Sequence, residues 1–118
     1  MSKKIFIVYG HHDIKKSFNA SVRDTFIEEA KKLGYQIDLI NLHEEKPIPF
    51  FDGSGPNDQI LDYRKRLEAS DVLFMISPCY NLRATAILEN WIDLTLAPKW
   101  FFSFKRLVGR SEEHTSEL

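Results

Sequence analysis

A three-layer α/β domain, with a parallel sheet covered by helices on both faces, is what the sequence predicts. Two observations carry that reading. Short runs that are apolar at every position (Ile5 to Tyr9, and Val72 to Ile76) have the character of strands buried on both faces. Amphipathic helical patterns alternate with them, giving the order β-α-β-loop-α-β-α, which requires parallel strands joined by crossovers.

The first strand ends at Gly10, after KIFIVY. Phe18, Val22, Phe26, Ala30 and Leu33 then recur at three- or four-residue spacing, which places them on one face of a helix that Gly34 ends. Tyr35 to Leu39 alternates with period two, as an edge strand with one wet face would. The segment from His43 to Asn57 holds Pro47, Gly53, Gly55, Pro49 and Pro56, so it reads as a long irregular loop of the functional or mobile kind. Pro56-Asn57-Asp58 opens a second helix, with Ile60, Tyr63 and Leu67 on one stripe and Arg64-Lys65-Arg66 on a solvated face. A third helix runs from about Ala84 to Leu96 and stops before Pro98, with Trp91 packed on the sheet.

The chain has 118 residues, one domain's length, with 43% hydrophobic residues, 28% charged residues and a formal net charge of −1. That balance gives no argument for nucleic acid or an anionic membrane as partner. The single cysteine, Cys79, excludes an internal disulfide and a multi-cysteine zinc site. No apolar stretch is long enough for a signal peptide or a membrane span, and a reducing cytoplasm is the expected location.

Ligands of a parallel α/β sheet bind outside the carboxyl ends of its strands. Those ends carry residues 10–19, 43–57 and 77–84. The first loop, GHHDIKKSFN, raises the possibility of a metal, but adjacent His11 and His12 point apart on a regular backbone and no known ligand spacing is present, so no metal site is expected. An anion is a better match, because a helix starting near Phe18 offers free backbone N–H groups, with Ser17, Asn19, Lys15 and Lys16 beside them. Residue types alone leave open whether Ser17 serves an anion or only caps the helix. The phosphate-loop and dinucleotide-fold glycine patterns are both missing. A receiver-type signalling domain would need an acidic pair after the first strand and an aspartate ending the third; His11-His12 and Ser77-Pro78 stand there instead.

At this point the residues become specific. KIFIVYGHHDIKKSFNASV resembles the opening of the flavin-dependent NAD(P)H:quinone oxidoreductases of flavodoxin-like fold. SPCYNLRATAILENWIDLTL is similar to that family's P-x-x-W-x-x-x-P-A-I-L-K-G-W-x-D, and its Pro78-Cys79-Tyr80-Asn81-Leu82 to the P-M-Y-N-F of FMN-dependent azoreductases. RLEASDVLF resembles the family's helix-to-strand junction. The resemblance implies a flavodoxin-like doubly wound parallel sheet with three of its five strands present, in the order 2-1-3. It implies that His11, Ser17, Phe18 and Asn19 hold the phosphate of FMN or FAD, and that Pro78, Cys79, Tyr80, Asn81 and Leu82 pack against the flavin ring. It further implies a flavoenzyme that passes hydride from NAD(P)H to a quinone, azo or nitro compound, as a homodimer when full length. No catalytic side chain is identified. The alternative within the family is a regulatory flavoprotein subunit of an ion-efflux system. Arg83 stands where the family has a small residue, and Thr85 and Glu89 replace its proline and lysine, both expected on the surface of the third helix.

The composition changes abruptly at residue 110. RSEEHTSEL is, letter for letter, a reading frame of a common short-read sequencing adapter, so residues 110–118 are expected to be a non-native tail and residues 1–109 the front part of the flavin-binding domain. A chain ending there leaves the third strand with an apolar free edge, which invites association.

Overall fold

The computed structural model describes residues 3–50 and 52–97 of the chain. Within them lie β1 (Lys4–Tyr9), α1 (Phe18–Lys32), β2 (Gln36–Asn41), α2 (Asp58–Glu68), β3 (Val72–Ile76) and α3 (Ala86–Thr95). The three strands form one parallel sheet in the order β2-β1-β3. That is the expected order. β1 is central because its Ile5, Phe6, Ile7, Val8 and Tyr9 are all buried, as a strand paired on both edges and covered on both faces must be. The residues from 98 onward, and with them the aromatic run near Trp100 and the 110–118 tail, lie outside the described residues.

Two cores flank the sheet. On one side Phe6, Val8 and Ile40 meet Ile60, Tyr63, Leu67, Leu88 and Trp91 of α2 and α3. Trp91 is fully buried, edge-on to Phe6 at 6.1 Å, as its helical position predicts. On the other side Ile5, Ile7, Tyr9 and Ile76 meet Ala20 and Ala30 of α1. Here the expected face of α1 is rotated. Phe18 and Leu33 are exposed, Ala30 and in part Phe26 face inward as expected, and Ala20 and Arg23 join them. The helix carries two neighbouring stripes, and the one with small side chains lets its backbone lie closest to the sheet. Phe26 flanks that contact, its ring 4.2 Å from that of Phe74.

Capping and turns follow the sequence closely. Asn57 caps α2 by accepting from the Ile60 N–H at 2.9 Å, and Gly34, at φ +88°, takes the left-handed conformation that ends α1. The long loop after β2 is tied down on both helices of its layer. The Asn90 amide donates to the carbonyls of Ile48 and Pro49, Gln59 to that of Lys46, and the Tyr63 hydroxyl to Glu45. Burial, and then Glu45, push the Tyr63 hydroxyl up to about 12.

Two expectations fail in the same region. The Asp38 face of β2 is not simply wet, and Arg64-Lys65-Arg66 is not a solvated face. Arg66 makes a bidentate pair with Asp38, Nε to Oδ2 at 2.9 Å and Nη2 to Oδ1 at 2.6 Å, and its guanidinium lies over the Phe6 and Tyr63 rings. Arg64 reaches the carbonyls of Leu94 and Thr95 at the end of α3. Arginine stems long enough to leave the helix flank find acceptors on neighbouring elements. Only Lys65 is exposed.

The Arg66 hydrogen bonds hold the Asp38 carboxyl below its ordinary value. A lowered carboxyl stabilises the fold above the usual carboxylate range, and that contribution disappears as pH falls through its lowered value. Asp38→Asn is therefore expected to cost about 1–3 kcal/mol in urea denaturation at neutral pH, with the gap between variant and parent closing under strongly acidic conditions. Gly10 is required for a different reason. A Cβ there would lie 2.9 Å from Leu88 Cβ and 3.1 Å from Thr85 Oγ1. Gly10→Ala is expected to lose about 1–3 kcal/mol through overpacking of α3 against the end of β1, read by the same denaturation.

Candidate functional site

β1 and β3 are paired up to Tyr9 and Ile76, so the loops that follow them leave the sheet side by side. The Gly10 N–H donates to the Ile76 carbonyl at 2.8 Å, and Thr85 Oγ1 donates to the Gly10 carbonyl at 2.7 Å. Thr85 is consequently buried rather than on the surface of α3, because its hydroxyl, unlike a proline ring, can cross to the neighbouring loop. Glu89 is half exposed and lies 3.9 Å from the Arg83 guanidinium.

The loop from Gly10 to Ser17 is fixed by its own side chains. Asp13 Oδ1 accepts from the backbone N–H groups of Lys15 and Lys16, at 3.0 and 2.8 Å. Those two bonds, Lys16's first, lower the Asp13 carboxyl from its ordinary value. The Tyr9 hydroxyl bonds to the Asp13 carbonyl (2.7 Å) and to Ser17 Oγ (2.8 Å). Ser17 Oγ in turn accepts from the Ala20 N–H at 3.0 Å. The structure thus shows Ser17 capping α1, with its hydroxyl engaged inside the loop. What the cap leaves open is the backbone: the N–H groups of Phe18 and Asn19, in the first turn, have no intrahelical acceptor. α1 is 15 residues long and carries no acidic residue in its first turn, so the positive end of its dipole is uncancelled.

The two histidines do not point apart. Their rings stack with centroids 4.5 Å apart and planes 22° from parallel, because this backbone is a turn and not a strand or helix. His11 Nδ1 accepts from the Asp13 N–H at 2.8 Å, which fixes its proton on Nε2 and leaves that atom as a donor. A ring nitrogen occupied in this way is unavailable to a metal. Among the described residues no group of three His, Cys, Asp or Glu side chains is placed to hold an ion. No helix among them is long and apolar enough to cross a membrane.

After β3 the chain forms a two-residue hairpin. Tyr80 and Arg83 exchange both backbone hydrogen bonds, 2.9 and 3.1 Å, across Asn81 (φ +53°) and Leu82 (φ +63°). Asn accepts the left-handed region readily, whereas Leu is held there at a cost of about 1 kcal/mol. Leu82 is 96% exposed, Tyr80 is half exposed and Cys79 is exposed. The hairpin follows the strand that pairs with β1, and its tip presents Leu82 to solvent. His11 and Ser17 lie in the loop after β1, Phe18 and Asn19 in the first turn of α1, and Pro78 to Leu82 in the loop after β3.

Three residues of this region escaped the sequence reading. Tyr9 reads as one more apolar strand residue, yet its hydroxyl holds the loop. Thr85 reads as a surface position. Arg23 is buried, with its guanidinium 4.6 Å from the Tyr9 ring centre. Its Nη2 donates to the Ile14 carbonyl (2.6 Å), Nη1 to Asn41 Oδ1 (2.9 Å) and Nε to Asp24 (2.9 Å). The available signal was its spacing from Ala20 and Ala30, which puts all three on one face of the helix.

Comparison with known proteins supports the same architecture. The family described as having the flavodoxin-like fold matches residues 3–116. The chain is 25% identical over 125 residues to the rat protein named ribosyldihydronicotinamide dehydrogenase [quinone], covering 85% of this chain and 54% of that one. It is 31% identical over 100 residues to the FMN-dependent NADH:quinone oxidoreductase of Mycoplasma mobile, covering 75% and 48%. The solved NAD(P)H:quinone oxidoreductase from Methanothermobacter marburgensis superposes with a TM-score of 0.69 at 20% identity, over 81% of this chain and 54% of that structure. The chain spans about half the length of the curated relatives it matches. It belongs to the flavodoxin-like fold family.

Proposed function

We propose that this chain binds a flavin and serves an NAD(P)H:quinone oxidoreductase, with the flavin phosphate on the first turn of α1 and the ring against the Tyr80–Arg83 hairpin. The observation that carries the reading is the open pair of N–H groups at Phe18 and Asn19, in the first turn of a helix with no acidic residue there. The relatives named as quinone oxidoreductases support the same assignment. The residues fit the group: a phosphate needs converging donors without a competing carboxylate, and Asp13 is turned onto its own backbone.

A bound flavin would supply the hydride chemistry, accepting from NAD(P)H and passing to the acceptor. The chain's own part is to bind and orient. The Phe18 and Asn19 N–H groups, His11 Nε2 and the Asn19 side chain would hold the phosphate. Pro78, Cys79, Tyr80, Asn81 and Leu82 would present a flat wall and backbone amides to the ring, and Arg83 would place a cation at the pocket's margin. FMN or FAD, a quinone, azo or nitro acceptor, a cytoplasmic location and a homodimeric holoenzyme complete the proposal. No observation favours the ion-efflux subunit.

A completed protein carrying this chain is expected to take up FMN on mixing, and to bind it well above riboflavin, which lacks the phosphate. Changing Ser17 and Asn19 together to Ala should weaken FMN binding by about tenfold or more, since Asn19 would lose a hydrogen bond to a charged group, worth about 1.5–3 kcal/mol, and Ser17 the cap that orders the first turn of α1. Fluorescence titration reads both affinities. An unchanged FMN affinity in the double variant would remove the phosphate from this loop.

A further inference from the structure

The buried cation of α1 bonds the Ile14 carbonyl of the loop and lies on Tyr9, whose hydroxyl helps to hold that loop in place. We infer that Arg23 is the positioning residue of the anion cradle, a role that rests on the flavin-phosphate reading above. Its fork joins two loops. Nη2 fixes the Ile14 carbonyl, midway between Gly10 and Ser17, while Nη1 fixes Asn41 at the end of β2. Asn41 is itself oriented by donating to Glu44 at 2.9 Å. The guanidinium face lies on Tyr9, whose hydroxyl secures Asp13 and Ser17. The arrangement therefore sets where the first N–H groups of α1 stand, without Arg23 reaching the anion. Geometry and not charge is the operative property, because the exposed carboxylate of Asp24 already pairs with Nε. A lysine ammonium is a point donor and cannot span the Ile14 carbonyl and the Asn41 amide with a planar fork.

The experiment titrates a completed protein carrying this chain with FMN and, separately, with riboflavin. Arg23→Gln is expected to weaken FMN binding by about tenfold while leaving riboflavin affinity within about twofold. Arg23→Lys should behave like Arg23→Gln, with no rescue. Asn41→Ala, which removes one arm of the fork at a half-buried position, should weaken FMN alone by about threefold, and it supplies the answer if the arginine variants do not fold. Parallel losses for both ligands, full rescue by lysine, or FMN affinity unchanged in Asn41→Ala would each overturn the positioning role while leaving the cradle standing. A parent protein that binds FMN no better than riboflavin would overturn the cradle and, with it, this role.

Discussion

Everything at the candidate site depends on the close approach of α3 to the end of β1. Gly10 leaves no side chain there, so Leu88 and Thr85 can sit against its backbone, and the Thr85 hydroxyl closes on the Gly10 carbonyl. That contact holds the start of the first loop and the end of the third in fixed relation. Without it, the Gly10 N–H bond to the Ile76 carbonyl would still hold the two strand ends side by side, but the end of the third loop would lose its tie to the first.

From that point the loop after β1 is organised by groups that have no direct part in binding. Tyr9, Asp13, Ser17 and Arg23 bond one another or the loop backbone, which leaves the first-turn N–H groups of Phe18 and Asn19 without an intrahelical acceptor. A site assembled in this way pays little ordering entropy when an anion arrives. The hairpin after β3 follows the same logic. Its two left-handed residues keep Leu82 in solvent instead of letting it fold onto the protein.

The sheet order, the helix boundaries to within two residues, and the packing role of Trp91 were legible in the sequence because each rests on a periodic pattern. The site loops were legible by position, since the carboxyl ends of parallel strands follow from strand order alone. What escaped has a common cause. Arg23, Arg64, Arg66, Thr85 and the hydroxyl of Tyr9 are amphipathic groups whose polar ends find partners on elements distant in sequence. A one-dimensional pattern records such residues as exposed or apolar, and only the tertiary arrangement shows which acceptor each one meets. The rotation of α1 is a related case: Phe18 and Leu33 at the ends of the apolar stripe are exposed, while Ala20 and Arg23 beside it face the sheet.

The central claim is that the first turn of α1 is an anion site formed in advance of binding. Its most direct measurement is a backbone amide NMR titration of the chain with FMN. The account predicts saturable shifts that are largest for the N–H signals of Phe18 and Asn19, reproduced in part by inorganic phosphate. Unmoved signals at those two residues, with flavin-induced shifts located elsewhere, would contradict it.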